Sequence, residues 1–346
     1  MTQKIAVIGA GMAGLTVGKI LSKKGFSVDI FDKGRGVGGR MSSRRTEWGY
    51  LDHGCQYFTV KDPLFKEFLQ EYNSSITVWQ GRFFSWIEGH FQEVAEEKSR
   101  YLPITSMNTL CKQMALNINI CLQTRIVSLQ QQEDKWILVD EQSNYYENYD
   151  WVIITAPPIQ TWDLIKTHRN IIDLVSTETG ETGIRGIASI ESVQMYPCYS
   201  LMLVIAEEKD FGFDGLQLEH PILGWIGVNS SKPARGKQLS LIIQSNFHWA
   251  ENYLASNQEV LQSDGDSRNL VAEILKKEVE KVLSHNFEGI LYESLHLWRY
   301  ALPKKPNTKK YYIDKSNQLA VCGDWCFQGK VESAFLSAYL LATEEF

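Results

Sequence analysis

The chain begins with an apolar run, a segment of helical spacing and a second, alternating run. Residues 5–8 are continuously apolar, as expected for a strand buried on both faces, and residues 28–31 lead directly to Asp32. The segment between them opens on glycines and predicts a helix that continues to about Lys24. The pattern therefore predicts a strand–helix–strand unit with Asp32 at the tip of its second strand.

Later parts of the chain contain further helix and strand patterns, but no internal sequence repeat. Residues 76–94 alternate aromatic and polar side chains around Glu88-Gly89, which predicts a hairpin. The other predicted helices cover residues 63–72, 108–116, 248–255, 266–283 and 331–343. The other predicted strands cover residues 118–122, 125–129, 135–139, 150–155, 199–206, 238–244 and 318–322.

The glycines of the first unit have the spacing of a dinucleotide-binding motif. Gly9 permits a tight turn, Gly11 lets a pyrophosphate approach the backbone, and Gly14 lets the helix pack close to the strand. The helix N-terminus at Met12 offers unpaired N–H groups to phosphates, and Asp32 is placed to accept hydrogen bonds from a ribose. We therefore expect a nucleotide cofactor at this end of the predicted sheet.

The end of the chain favours a flavin dinucleotide over a nicotinamide one. A strand, Gly323-Asp324 and a helix return some 300 residues after the first glycine loop. An extended FAD has its pyrophosphate on the first helix and its ring against such a distant strand end. Asp324 is expected to bind its ribityl or pyrophosphate region, and the final helix to point its positive end at the N1/O2 edge of the ring.

Composition is that of an ordinary globular enzyme. Hydrophobic residues make up 44% of the 346 residues and charged residues 22%, and the net charge is −6. A negative chain gives no reason to expect nucleic acid or an anionic membrane as a partner, and no apolar stretch approaches the ~20 residues of a membrane span. The first predicted strand starts close to Met1 without a signal peptide, and the six scattered cysteines form no disulfide framework or metal-ligand pattern. We expect a cytoplasmic protein that contains no metal.

Longer strings resemble the flavin amine-oxidase superfamily and, within it, the bacterial renalases. The superfamily features are the glycine motif, Asp32 and Gly38-Gly39-Arg40. The strings that carry the narrower resemblance span residues 32–43, 51–59, 231–235, 296–301, 321–326 and 329–332. They follow the expected order over nearly the whole chain, which makes them more specific than the glycine motif alone.

This resemblance implies an FAD-dependent oxidase that repairs misreduced cofactor. Such proteins bind FAD non-covalently and oxidise the 2- and 6-dihydro isomers of NAD(P) to β-NAD(P)+. Hydride passes to flavin N5, and O2 is reduced to H2O2. No side chain is expected to act as a catalytic acid or base, because hydride transfer depends on the position of the two rings.

The resemblance also implies roles for individual residues. Asp32 and Lys33 are expected at the adenosine ribose, Arg40 at the pyrophosphate, and Asp324 and Val331 on the ribityl and ring side. The full predicted cofactor set is Gly9, Gly11, Met12, Gly14, Asp32, Lys33, Gly39, Arg40, Gln56, Tyr57, Val127, Asp324 and Val331. The predicted substrate pocket is Tyr57, Phe58, Thr59, Lys61, Tyr101, Tyr199 (or its neighbour Cys198), Trp298 and Lys330. Position 330 is commonly arginine in the family, and a lysine does not make the same bidentate phosphate contact.

The predicted fold is α/β, with a Rossmann-type FAD-binding domain and an interleaved α+β substrate domain, as in p-hydroxybenzoate hydroxylase. The FAD-binding domain is assigned residues 1–75, 100–156 and 290–346, and the substrate domain residues 76–99 and 157–289. Two other functions stay open: a flavin enzyme that oxidises an amine or desaturates an apolar compound, and a flavoprotein that binds a partner or senses redox state without rapid turnover.

Overall fold

The computed structural model describes residues 2–94, 98–167, 187–257, 265–307 and 309–346. The strands of this part of the chain are β1 (Lys4–Ile8), β2 (Ser27–Phe31), β3 (Arg44–Thr46), β4 (Gly49–Leu51), β5 (Ile76–Val78), β6 (Phe83–Ile87), β7 (His90–Glu93), β8 (Tyr101–Pro103), β9 (Asn119–Cys121), β10 (Ile126–Gln132), β11 (Lys135–Asp140), β12 (Tyr145–Tyr149), β13 (Trp151–Ile154), β14 (Met195–Ile205), β15 (Gly215–Leu218), β16 (Leu223–Val228), β17 (Ser240–Ser245), β18 (Ile290–Pro303), β19 (Tyr312–Asp314) and β20 (Leu319–Val321). Its α-helices are α1 (Met12–Lys23), α2 (Pro63–Gln70), α3 (Thr109–Met114), α4 (Pro158–Ile165), α5 (Phe247–Ser256), α6 (Gly265–Leu283) and α7 (Val331–Glu344).

The first large sheet carries the glycine motif. Its six strands lie in the order β19-β20-β13-β1-β2-β9, and all neighbours are parallel except the β19–β20 pair. Ile5, Ala6 and Val7 of the central strand are fully buried, because apolar side chains cover both faces of the sheet. This burial on both faces explains why β1 is a continuous apolar run.

The second large sheet is built mainly from the middle of the chain. Its seven strands lie in the order β18-β14-β17-β16-β15-β6-β7. One face packs on α5 and α6 through an apolar cluster that includes Leu201, Leu241 and Leu275. Because side chains alternate along a strand, the neighbouring residues of β14 and β17 face the other way, where Met202, Val204 and Ile242 pack with Leu51 of β4.

The structure confirms the predicted fold class, an α/β protein with a Rossmann-type unit and a second, interleaved sheet. The predicted helices and strands are present within a few residues of their expected bounds. The hairpin prediction was wrong at its start. β6 and β7 pair around Glu88-Gly89, both with positive φ, whereas β5 pairs with β8 in a separate two-stranded sheet.

The division into domains stays a prediction. Strand pairing places β18 beside β14 in the seven-stranded sheet, although the predicted boundary assigns residues 290–303 to the FAD-binding domain. Parts of the predicted substrate domain, residues 95–97, 168–186 and 258–264, lie outside the described residues.

Candidate functional site

A cavity of about 1090 Å³ lies at the carboxyl ends of β1, β2 and β13. Ligands of open parallel sheets bind at this edge, where loops of adjacent strands diverge. Gly11, Asp32 and Thr155 line one side of the cavity, and Cys198 and Trp298 of the second sheet line the other. The cavity is therefore a cleft between the two sheets.

The glycine loop leaves room for a ligand where the sequence predicts a pyrophosphate. Gly9 has φ +112°, and its N–H donates to Phe31 O at 2.8 Å, which closes the turn between β1 and α1. A Cβ on Gly14 would lie 1.8 Å from Gly9 O, so the helix touches the turn directly at this point. A Cβ on Gly11 would meet nothing within 4 Å and would extend into open space beside the cavity.

Asp32 organises the loops at the predicted ribose end. Its carboxylate accepts the Ala10 N–H at 2.6 Å and the Gly34 N–H at 2.6 Å. A carboxylate oxygen has two lone pairs, so each oxygen keeps one for a ribose hydroxyl. Asp32 thus joins the two glycine loops as well as lining the cavity.

Two cations lie near Asp32. Lys33 and Arg125 both line the cavity. Desolvation lowers the pKa of Lys33, the charge of Arg125 lowers it further, and Asp32 opposes both effects. This end of the cavity therefore carries a partly desolvated positive charge.

Arg40 and Asp324 form an ion pair across the cavity wall. Arg40 Nη1 donates to Asp324 Oδ2 at 2.8 Å and to Ala301 O at 3.1 Å, and Nη2 donates to Asp324 Oδ1 at 2.5 Å. The Asp324 side chain is 8% exposed and that of Arg40 is 32% exposed. Since a guanidinium has five N–H donors, Arg40 keeps donors for a ligand while it holds Asp324.

The N-terminus of α7 reaches the cavity without a side-chain cap. Its N-cap residue, Lys330, makes no capping hydrogen bond from its side chain, and Lys330, Val331 and Glu332 line the cavity. The Glu332 carboxylate instead accepts the backbone N–H groups of Lys61 and Asp62. The first turn of α7 thus presents unpaired N–H groups and the positive dipole end to this region.

The wall formed by the second sheet is aromatic and holds the loop after β4 in place. The Trp298 indole donates to His53 O at 2.9 Å, and its ring stacks on that of His53 with centroids 5.3 Å apart. Gln244 donates to Gly54 O at 2.7 Å. These contacts fix the path of the loop toward Tyr57, which also lines the cavity.

Three titratable groups at or near this wall, His53, Cys55 and Cys198, are neutral near pH 7. Burial lowers the pKa of His53 to about 4, and the neighbouring His296 and Arg44 contribute to this shift. Burial raises the pKa of the Cys55 and Cys198 thiols to about 12. Neither thiol has the lowered pKa of a nucleophilic cysteine.

Most of the predicted site residues meet at this one cavity. Those that line it are Gly9, Gly11, Met12, Asp32, Lys33, Gly39, Arg40, Tyr57, Phe58, Thr59, Lys61, Val127, Trp298, Asp324, Lys330 and Val331. Gly14 lies behind the turn, in the steric role that the motif predicts for it.

Besides Gly14, three predicted residues lie outside the cavity lining: Gln56, Tyr101 and Tyr199. Gln56 is buried and donates to the carbonyls of Asp52 and Gly54, while its Oε1 accepts Lys232 Nζ at 3.1 Å. Tyr101 pairs with the Phe58 backbone and stacks on its ring.

Tyr199 points to the far face of the second sheet, where it packs on Trp249 and Tyr253. Its neighbour Cys198 lines the cavity instead, because successive side chains of a strand face opposite ways. Cys198, the predicted alternative to Tyr199, is therefore the residue of this pair that lines the cavity.

Several residues that line the cavity belong to none of the predicted motifs. Among them are Lys98, Arg125, Gln244 and Phe247. Gln244 lies near the end of β17 and Phe247 comes just after it. The sequence predicts this strand, but only the pairing of β17 with β14 brings the two residues to the cavity.

The first strand–helix–strand unit of the chain is similar to parts of known proteins. The NAD(P)-binding Rossmann-like domain family matches residues 7–72. An uncharacterised protein of Methanocaldococcus jannaschii is 49% identical over 59 residues, which are 17% of this chain and 12% of that protein. A 4,4'-diapophytoene desaturase (4,4'-diapolycopene-forming) of a Methylomonas species is 38% identical over 63 residues, 18% of this chain and 12% of that protein. The matched segment is thus a small part of these curated relatives.

Two solved structures share the fold over almost the whole chain. A provisionally named protoporphyrinogen oxidase from Exiguobacterium sp. 255-15 has a TM-score of 0.69 at 10% identity, with 100% of each chain covered. An oxidoreductase from Methanosarcina mazei has a TM-score of 0.66 at 14% identity, with 98% of this chain and 99% of that chain covered. At these identities the likeness concerns the fold.

Within the described ranges, no helix combines the length and apolar character needed to cross a membrane. Nor do three or more His, Cys, Asp or Glu side chains group there as potential metal ligands.

Proposed function

We propose that the protein is a flavin-dependent oxidoreductase that binds FAD non-covalently in the cleft between its two sheets. The observation that carries the proposal is the continuity of the cavity. It extends from the glycine loop and Asp32 to Asp324 and the N-terminus of α7. An extended dinucleotide such as FAD has an adenosine end and a flavin end. It therefore matches a cleft with a phosphate-binding loop near one end and a second helix N-terminus at the other.

The residues present fit this cofactor. Gly11 leaves open space beside the helix N-terminus where a Cβ would intrude, as close approach of a pyrophosphate requires. Arg40 keeps free N–H donors near that loop. Asp324 and the uncapped first turn of α7 would hold the ribityl chain and the polar edge of the ring.

Bound FAD would supply the hydride acceptor, and O2 would reoxidise it with formation of H2O2. The chain's own residues would orient the substrate and limit water. Trp298 and Tyr57 offer aromatic surface for a flat substrate ring. His53 is not among the residues that line the cavity, and the Cys55 and Cys198 thiols that do line it are protonated near pH 7, so the arrangement suits a reaction that depends on position rather than on a general base.

The substrates we propose are the 2- and 6-dihydro isomers of NAD(P), with β-NAD(P)+ as product, as in renalase-like oxidases. The mouth of the cavity supports an anionic dinucleotide. Lys61, Lys98, Arg299 and Lys330 line the cavity and are exposed, although the whole chain has a net charge of −6. Lys330 would attract a phosphate as a point charge rather than by a bidentate contact.

A second candidate is oxidation or desaturation of another small substrate, such as an amine or an apolar polyene. The similarity of the first unit to a diapophytoene desaturase and the shared fold with a provisionally named protoporphyrinogen oxidase favour this candidate. The cationic mouth favours the dinucleotide, because an apolar polyene gains nothing from four positive charges.

The test is anaerobic stopped-flow at the flavin absorbance after the protein has been loaded with FAD. The reductants are 2-dihydro-NAD, 6-dihydro-NAD, ordinary NADH and simple amines. We expect rapid bleaching by one or both dihydro isomers, with β-NAD+ as product, and slow bleaching by NADH. Bleaching by amines alone would move the function to the second candidate, and failure of the wild-type protein to bind FAD would contradict both.

A matched pair of variants connects this test to the site. Trp298→Phe keeps an aromatic surface but loses the indole donor to His53 O, whereas Trp298→Leu loses both. We expect reduction by the dihydro isomer to slow more in Trp298→Leu than in Trp298→Phe. Equal rates in all three proteins would remove Trp298 from the substrate pocket.

A further inference from the structure

Glu332 lies in the first turn of α7 but directs its carboxylate to another helix. Its Oε1 accepts the Lys61 N–H at 2.6 Å and the Asp62 N–H at 2.8 Å. Asp62 is the N-cap of α2, and its own side chain accepts the Leu64 N–H at 2.9 Å. Glu332 thus provides an acceptor for the N–H groups just before α2 that the α2 cap leaves unpaired.

This contact fixes one end of the loop at the cavity mouth. Phe58, Thr59 and Lys61 line the cavity, and so does Glu332. The other end of the loop is held at Phe58, whose N–H donates to Tyr101 O at 2.9 Å while its O accepts the Tyr101 N–H at 2.8 Å. The short segment between Phe58 and Lys61 is therefore held at both ends.

The contact also has an electrostatic consequence for α7. A carboxylate in the first turn of a helix ordinarily complements the dipole of that helix. Because the Glu332 carboxylate is bound at the start of α2, it leaves the first N–H groups of α7 available to a ligand. The side chain of the N-cap residue Lys330 does not occupy them either.

We propose that Glu332 is a positioning residue for the cofactor cleft, which holds the mouth loop, residues 58–61, against the N-terminus of α7. This inference rests on the proposed function in one respect, that the ligand behind the loop is a flavin. Loss of the hydrogen bonds from Lys61 and Asp62 to Glu332 is expected to free the loop and to admit solvent to the flavin ring. It should also weaken FAD binding, while the two sheets stay folded.

The test compares four variants with the wild-type protein. Glu332→Ala removes the acceptor, and Glu332→Asp keeps the charge on a side chain shorter by one methylene. Glu332→Gln keeps the length and one oxygen acceptor without the charge. Glu67→Ala removes an exposed carboxylate from the middle of α2 and is the matched control.

The first readout is amide-resolved hydrogen exchange on the protein without cofactor. We expect the Lys61 and Asp62 amides to exchange about tenfold faster in Glu332→Ala and Glu332→Asp, in line with the loss of one charge-assisted hydrogen bond. Glu332→Gln should stay within about threefold of the wild type, since its amide oxygen still accepts. Glu67→Ala should leave both rates unchanged.

The second readout is acrylamide quenching of flavin fluorescence in the FAD-loaded proteins. We expect the quenching constant to rise at least threefold in Glu332→Ala and Glu332→Asp, and to stay near the wild-type value in Glu332→Gln and Glu67→Ala. Unchanged exchange, or faster exchange without greater flavin access, would overturn the positioning role. If Glu332→Ala does not fold, Glu332→Asp decides.

FAD uptake by the wild-type protein and hydrogen exchange in the variants test the proposed function and the role of Glu332 separately. A wild-type protein that takes up no FAD contradicts the proposed function, and it removes the cofactor role of Glu332 with it. FAD uptake with unchanged exchange in the variants leaves the proposed function standing and overturns only the role of Glu332.

Discussion

At the scale of single residues, two glycines of one motif do different physical work. A Cβ on Gly14 would lie 1.8 Å from Gly9 O, a distance that real Cβ atoms do not adopt. A Cβ on Gly11 would meet no atom within 4 Å. Gly14 therefore serves the packing of α1, and Gly11 serves the space that a cofactor needs.

We predict that alanine separates these roles. Gly14→Ala should lower the free energy of unfolding by more than about 3 kcal/mol, because backbone must move to admit the methyl group. Gly11→Ala should change it by less than about 1 kcal/mol but weaken FAD binding about tenfold or more, the effect of roughly 1.4 kcal/mol. Urea unfolding without cofactor and FAD titration measure the two effects. Equal FAD affinity in wild type and Gly11→Ala would contradict the assignment.

At the scale of elements, the Arg40–Asp324 ion pair connects the glycine-rich loop after β2 to the turn after β20. The two residues are 284 positions apart in sequence. Asp324 is nearly buried, so removal of Arg40 leaves a carboxylate without its main partner. The family resemblance implies a pyrophosphate contact for Arg40, and the structure adds this second, structural contact.

A double-mutant cycle with Arg40→Met and Asp324→Asn tests the link in the cofactor-free protein. We expect a coupling energy of about 2 kcal/mol, below the ~3 kcal/mol upper end for residues in direct contact, because Arg40 is one third exposed and water screens the pair. Urea unfolding of the four proteins measures it. Arg45→Met, at an exposed arginine of β3, is the control and should cost under about 0.5 kcal/mol. Additive losses would show that the pair does not couple the two segments.

At the scale of the whole molecule, a buried ionic cluster joins segments that belong to different sheets. Asp52 follows β4, and its carboxylate binds Lys232 Nζ at 3.3 Å and Arg235 Nε at 2.9 Å from the loop after β16. Desolvation acts to raise the pKa of Asp52, but the two cations and the hydrogen bonds from Ser43 and Met107 outweigh it and lower the pKa. The next residue, His53, stacks on Trp298 of the second sheet.

The pH dependence of stability follows from His53. Its pKa is about 4 in the folded protein and 6.5 in the unfolded chain, so the unfolded state binds more protons between these values. Stability from this group is complete above pH 6.5 and is lost as the pH falls toward 4. The loss is about 3 kcal/mol, since each pKa unit is worth about 1.4 kcal/mol.

Urea unfolding of the cofactor-free protein between pH 4 and pH 6.5 measures this loss. His53→Phe keeps a ring against Trp298 but binds no proton, so its stability should fall by about 3 kcal/mol less than that of the wild type over this range. His90→Gln changes an exposed histidine of β7 and should follow the wild-type curve. Parallel curves for wild type and His53→Phe would show that His53 is not held neutral in the folded protein.

Much of the fold was predictable because the demands on its residues are local. Burial of β1 on both faces needs a continuous apolar run, and the turn at Gly9 needs a residue that tolerates φ +112°. The long strand β18 was not predicted. Its side chains are intermediate or exposed over most of its length, so no apolar periodicity marks it, and its pairing with β14 defines it.

The sequence alone was enough to predict the strand–helix–strand unit, the positions of the glycines and Asp32, and the strand and helix that return at the end of the chain. Three features became visible only in the folded chain: Arg40 binds Asp324, Glu332 binds the start of α2, and Cys198 rather than Tyr199 faces the cleft. The difference lies in the sequence separation over which each interaction acts. Backbone geometry and burial act on neighbouring residues and leave a pattern in the sequence, whereas ion pairs and cavity walls depend on segments that only folding brings together.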